Sequence, residues 1–271
     1  MDRIRSNANV NRLLHVLVPF LIMIALEKGV YFEAIRFFPD AGDIVDLVSF
    51  LLGAAAAVLF FRLYDGGEVA ESDDGAEPVG PIKTEPVVFC ALRLVIALAA
   101  LAGWMYAVNL LADGAGFSEE LRAGGWAFGA LRIFSLILLH PVAEEWIFRR
   151  MFYGELRLMN PIFGVLAQAV MFAIAHRSTE TMIYALGAGL ILGILRERTG
   201  RLWCVIAAHS LTNLRSLLCL TLLTEKSQRL AADAVLLTLA LLACAALIVV
   251  RVRSRRTAKA SEPAREEGTT S

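Results

Sequence analysis

Residues 87–111 read VVFCALRLVIALAALAGWMYAVNLL, an apolar run broken by a single charged side chain, Arg93. Crossing the roughly 30 Å hydrocarbon core of a bilayer takes about 20 apolar residues in a helix, so this run is long enough to span. A soluble strand or core helix of that length and apolarity has no equivalent surface to bury against. The run therefore predicts a transmembrane helix.

Working outward, comparable runs lie at about 13–36, 44–62, 126–148, 161–177, 181–196, 202–223 and 231–250. The composition agrees, with 58% hydrophobic and 19% charged residues and a mean hydropathy of +0.63. The expected fold is all-α: a single integral membrane domain, 1–271, forming a polytopic helical bundle of about eight spans with its site inside the bundle. The acidic, glycine- and proline-containing stretch 65–85 reads as a flexible loop, and 251–271 as a polar cytosolic tail. The formal net charge is zero, which offers nothing to nucleic acid.

Lysine and arginine orient such a bundle. With both termini cytosolic, the opposite side holds only Arg36, Arg122, Arg177, Lys226 and Arg229. That imbalance favours cytosolic termini and an even number of spans. Arginine outnumbers lysine heavily, a composition typical of a high-GC bacterial genome, so a bacterial plasma membrane is the expected location. The cysteines Cys90, Cys204, Cys219 and Cys244 all sit in apolar runs and read as small buried hydrophobes.

Ionisable residues inside spans are costly and mark sites or buried pairs. Three clusters have helical spacing. In His140-Pro141-Val142-Ala143-Glu144-Glu145-Trp146-Ile147-Phe148-Arg149, Glu145 and Arg149 are four apart and placed to pair. Two adjacent carboxylates in a low dielectric resist ionising together, so pairing Glu145 leaves Glu144 to act as base or acid. Pro141 can kink the helix beside it. Phe172 and His176 form the second cluster. His209 and Asn213, also four apart, form the third, with two donors able to converge on one oxygen.

The patterns EExxxR, FxxxH and HxxxN, in this order on three apolar helices, resemble the CAAX prenyl protease and bacteriocin-processing family of intramembrane endopeptidases. The resemblance covers about 126–223; where that family often has glycine after the motif arginine, this chain has Arg150. It implies that Glu144 and His176 activate water and that His209 and Asn213 stabilise the oxyanion. Glu145, Arg149 and Phe172 would support them. The implied reaction is hydrolysis of a peptide bond in a membrane-anchored protein or peptide, without a covalent intermediate. Zinc held by Glu144, His176 and His209 is the alternative mechanism; the chain lacks HExxH, and no cofactor is favoured. A non-catalytic immunity or scaffold protein and a proton-coupled transporter are the alternative functions.

His140, one turn before Glu144, reads as a partner of that carboxylate, and His15 as interfacial. Glu27, Lys28, Glu33, Arg93 and Arg132 read as structural pairs or anchors. For Glu144 to meet His176 and His209, the fourth helix must run beyond Phe148, toward Met159, and the site is expected in a cavity opening toward the cytosol.

Overall fold

The computed structural model describes residues 2–63, 82–111, 129–223 and 225–260. Among these residues all regular secondary structure is helical: α1 (Asp2–Phe37), α2 (Gly42–Leu63), α3 (Val87–Leu111), α4 (129–156), α5 (Pro161–Ala175), α6 (Thr179–Thr199), α7 (Leu202–Leu222) and α8 (Lys226–Ala260), with one 3-10 turn at Pro39–Ala41. The expectation of a polytopic bundle holds. Six of these helices are long and apolar enough to cross a membrane, and α5 is a shorter apolar helix. The remaining one, α4, carries Glu144, Glu145, Arg149 and Arg150 and is sheltered by its neighbours. Residues 64–81 and 261–271 lie outside the described residues, and with them most of the expected acidic loop and half of the expected tail. Residues 251–260 continue α8, because alanine, arginine and lysine all favour a helix and nothing there breaks it.

Short connections force antiparallel neighbours. Asn160 caps α5, its Oδ1 accepting from the backbone N–H of Ile162 at 2.8 Å and of Phe163 at 3.0 Å, with Pro161 in the first turn. Ser178 and Thr181 form a reciprocal capping box at the start of α6. Gly200 ends α6 at φ 65°, a left-handed conformation that glycine adopts without penalty. Cross-helix bonds fix which ends meet. Arg12 pairs with Glu155 at 3.0 Å, and the Glu85 N–H bonds the Thr199 carbonyl at 3.0 Å, so these mark the end holding the chain termini. At the opposite end Asn109 Nδ2 donates to Asp233 at 2.9 Å, and Arg215 pairs with the same carboxylate. This polar contact holds α8, otherwise largely bare of protein, onto α3 and α7.

The core that positions the site is aromatic. Phe148 meets Phe152 at 5.6 Å and Phe172 at 5.2 Å, each edge to face, and Phe20 of α1 meets Phe148 at 6.4 Å. Such pairs add about 0.5–1.5 kcal/mol each beyond their buried area. They lock α1, α4 and α5 around the stretch that carries the charged residues.

The fourth helix is not a regular α-helix. Ser135–Leu139 and Trp146–Phe152 are π-helical, separated by α-helical His140–Glu145. Helix α4 continues past Phe148 to Leu156, as the depth of the histidines requires. Arg149 is fully buried inside it.

Candidate active site

Glu145 and Arg149 are both fully buried, with Arg149 Nη1 3.0 Å from Glu145 Oε1. The guanidinium also lies over the Phe172 ring at 4.4 Å. A buried arginine without a counter-charge would cost several kcal/mol, so this pair and its aromatic floor are what allow α4 to carry charge inside the bundle. Glu145 makes a second bond, since His209 Nδ1 stands 2.7 Å from the same Oε1. A carboxylate that faces an arginine accepts rather than donates, so Nδ1 carries the proton and donates it.

That bond turns the other side of the imidazole toward Glu144. His209 Nε2 is 3.6 Å from Glu144 Oε2, while His140 Nδ1 is 3.8 Å from Glu144 Oε1. Glu144 is thus bracketed by two imidazoles and borders a cavity of about 210 Å³, whose wall also includes His176 and Asn213.

His176 departs from the expected helical position. It is the residue just past the end of α5, with extended backbone at φ −77°, ψ 158°. Its ring nevertheless remains beside Phe172, edge to face at 4.9 Å, because Nδ1 bonds the Phe172 carbonyl at 2.8 Å. That carbonyl belongs to the last turn of α5 and has no helical partner to its C-terminal side. A carbonyl only accepts, so Nδ1 holds the proton and Nε2 of the neutral ring is the acceptor left for the cavity.

Asn213 Nδ2 donates to the carbonyl of Leu136 at 2.9 Å. The π-helical segment explains why that carbonyl is available. The His140 N–H bonds Ser135 instead, and the next donor in π register would belong to Pro141, which has none. An amide NH2 has two protons, so Asn213 caps Leu136 with one and retains the other. His209 and Asn213 therefore do not present free donors side by side; each is first committed to the protein.

Among the described residues, no group of three or more histidine, cysteine, aspartate or glutamate side chains is placed to hold a metal ion. Glu144, His176 and His209 line one cavity, and with Nδ1 engaged as above each imidazole has Nε2 left over, which is also how metal-ligating histidines are held.

The cavity wall also carries charge toward one end of the bundle. Its most exposed charged residues are Asp46 and Arg177, which form an ion pair at 37% and 30% side-chain exposure. Glu27 lies 3.9 Å from the same guanidinium. All three lie toward the end of the bundle opposite the chain termini, where His176 sits beyond the far end of α5. Sequence reading passed over Asp46, although a carboxylate one turn into an apolar run was a signal, and took Arg177 as a loop charge. It is a clasp, stacked on Tyr31 at 3.8 Å.

Other expectations resolve simply. His15 stacks on Phe61 at 4.1 Å. Arg93 grips Glu85 through two contacts of 2.6 Å, Lys28 bonds the Ile174 carbonyl at 3.2 Å, and Arg150 lies over Trp146 at 4.6 Å. None of the four cysteines is in a disulfide; Cys90 and Cys204 are buried, while Cys219 and Cys244 are half-buried.

Comparison with known proteins matches residues 125–215 to the family model described as type II CAAX prenyl endopeptidase, Rce1-like. The resemblance read from the three motifs is therefore shown, on the part of the chain that carries them. Over 77 residues the chain is 32% identical to the putative membrane peptidase YdiL of Bacillus subtilis (strain 168), covering 28% of this chain and 32% of that protein. Over 88 residues it is 30% identical to the membrane-embedded CAAX protease MroQ of Staphylococcus aureus (strain USA300), covering 30% of this chain and 36% of that protein. The chain spans about a third of the length of the curated relatives it matches. No solved structure matches it.

Proposed function

We propose that this chain is an intramembrane endopeptidase that hydrolyses a peptide bond in a membrane-anchored protein or peptide. In this reading Glu144 takes a proton from water that the free Nε2 of His176 helps to orient. The oxyanion of the tetrahedral intermediate is met by the second N–H of Asn213 and by Nε2–H of a protonated His209, which Glu145 holds through Nδ1. Arg149 and Phe172 hold Glu145 and the two histidines in place. The mechanism uses no metal.

The observation that carries the proposal is that Glu144 of α4, His176 just past the end of α5, and His209 and Asn213 of α7 all border one cavity, within the stretch that matches the protease family. Remote positioning of this kind supplies much of a hydrolase's rate, since well-placed groups replace costly diffusion and reorganisation of water. The bilayer is the protein's surroundings; a bacterial plasma membrane with cytosolic termini is the proposed setting.

The test is cleavage of candidate membrane-anchored substrates in cells carrying wild type, Glu144→Ala or His209→Ala at matched expression. Wild type should cleave and both variants should not. Equal cleavage by all three would remove the proposed site. Ion flux through proteoliposomes of the wild type, absent in both variants, would favour a transporter instead.

A further inference from the structure

His140 belongs to none of the three motifs, yet it is the residue that addresses the second oxygen of Glu144. It lies four residues earlier on the same helix, which puts both side chains on one face. Its Nδ1 is 3.8 Å from Glu144 Oε1, opposite the 3.6 Å approach of His209 Nε2 to Oε2. Both separations exceed a hydrogen bond, and a small rotation of the glutamate side chain closes one of them, as happens when such sites tighten around substrate.

Two other helices fix where this imidazole stands. Phe50 of α2 lies flat against it, with ring centroids 4.0 Å apart and planes 14° from parallel. Asn213 of α7 holds the Leu136 carbonyl, which secures the π-helical turn leading directly into His140. A glutamate has three rotatable side-chain bonds, so an unheld carboxylate in a cavity samples several orientations. His140 and His209 are the two pinned groups within reach, and His140 is the one that faces Oε1.

We propose that His140 is a positioning residue: Nδ1–H holds Oε1 of Glu144, so that Oε2 is the oxygen presented to water and to His209. This rests on the reading of Glu144 as the water-activating carboxylate. His140 touches neither water nor substrate in the reaction and takes no proton.

Two substitutions separate its features. His140→Phe keeps the ring stacked on Phe50 and removes the donor, whereas His140→Asn loses the ring but restores an N–H at the place of Nδ1. Full-length protein in liposomes is assayed with a quenched-fluorescence acylated peptide library of mixed sequence. Infrared difference spectra of each background, with and without Glu144→Gln, isolate the Glu144 carboxyl band.

The expected result is a shifted band and a kcat lower on the order of 10²-fold in His140→Phe with KM unchanged, the scale set by misplacing a catalytic group by about 1 Å. His140→Asn should return both most of the way. An unmoved band in His140→Phe overturns the proposal whatever the activity. Equal impairment of both variants also overturns it, since a restored donor would then restore nothing. If the band moves but Glu144→Gln cleaves as well as wild type, the protease reading fails at Glu144 and the catalytic role of His140 falls with it.

Discussion

His209 and Glu145, separated by 64 residues in sequence, share a buried 2.7 Å bond from Nδ1–H to Oε1, and Arg149 reaches the same oxygen at 3.0 Å. One carboxylate oxygen therefore sets both the tautomer of a histidine on α7 and the charge balance of α4. Glu144, next in the chain, is left to face the cavity.

Breaking that arrangement should be costly before any question of catalysis arises. Arg149→Met leaves Glu145 buried with less compensation and should lower stability by about 3–5 kcal/mol. The double variant Arg149→Met/Glu145→Gln should lose clearly less than the two single losses combined, because it removes both charges together. Thermal unfolding in detergent measures this; strict additivity would show that the two side chains are not coupled.

Asn213→Ala removes the cap on Leu136 and the N–H proposed above to meet the oxyanion. The orphaned carbonyl should cost about 1–3 kcal/mol of stability, and the lost donor about 10²–10³ in kcat. Asn213→Asp is the sharper variant, because its carboxylate accepts where Leu136 also accepts. Wild-type kcat in either variant would take Asn213 out of the chemistry.

Helices α3 and α6 approach closely at Gly187, where a Cβ would run into the indole of Trp104. The same indole donates from Nε1 to the Tyr184 carbonyl at 3.0 Å, so it has little freedom to retreat. Gly187→Ala should destabilise by about 1–3 kcal/mol. Gly154→Ala on α4, with nothing within 4 Å, should be neutral or stabilising by up to about 1 kcal/mol. Unfolding midpoints of the two variants should move in opposite directions or differ plainly in size.

Chelation should leave activity intact if the mechanism uses no metal. Dialysis against a strong chelator, with metal content measured on the same sample, should yield metal-free protein at full rate. Loss of activity restored by zinc alone would return the three-ligand alternative.

Access to the cavity should come from the end opposite the termini. Asp46→Cys should react with a membrane-impermeant maleimide added outside intact cells if the termini are cytosolic, while Leu63→Cys at the other end should stay unlabelled. The reverse pattern would invert the orientation inferred from the lysine and arginine distribution.

Much of this protein was legible from its residues, because a bilayer leaves few options to an apolar run such as 87–111. The pairing of Glu145 with Arg149 was equally local, being set by helical spacing. What escaped was non-local or depended on departures from a regular helix. His176 sits past the end of α5 because its imidazole completes a carbonyl of that helix. Asn213 caps Leu136 because a π turn and Pro141 together strip that carbonyl of a donor. Asp46 meets Arg177 only once α2 lies beside the turn between α5 and α6, and no spacing along the chain announces it.

The two π-helical segments of α4 act on the sequence as dislocations act on a lattice. Each inserts extra residues into a turn, so the phase relating position number to direction resets by roughly one residue, or about 100° of rotation. Phe134, Glu144 and Tyr153 therefore belong to three separate wheels and not to one. A saturation scan across 129–156 should record this as a tolerance pattern whose period breaks at Ser135–Leu139 and again at Trp146–Phe152, with Glu144 lying in the short α-helical stretch between the two breaks.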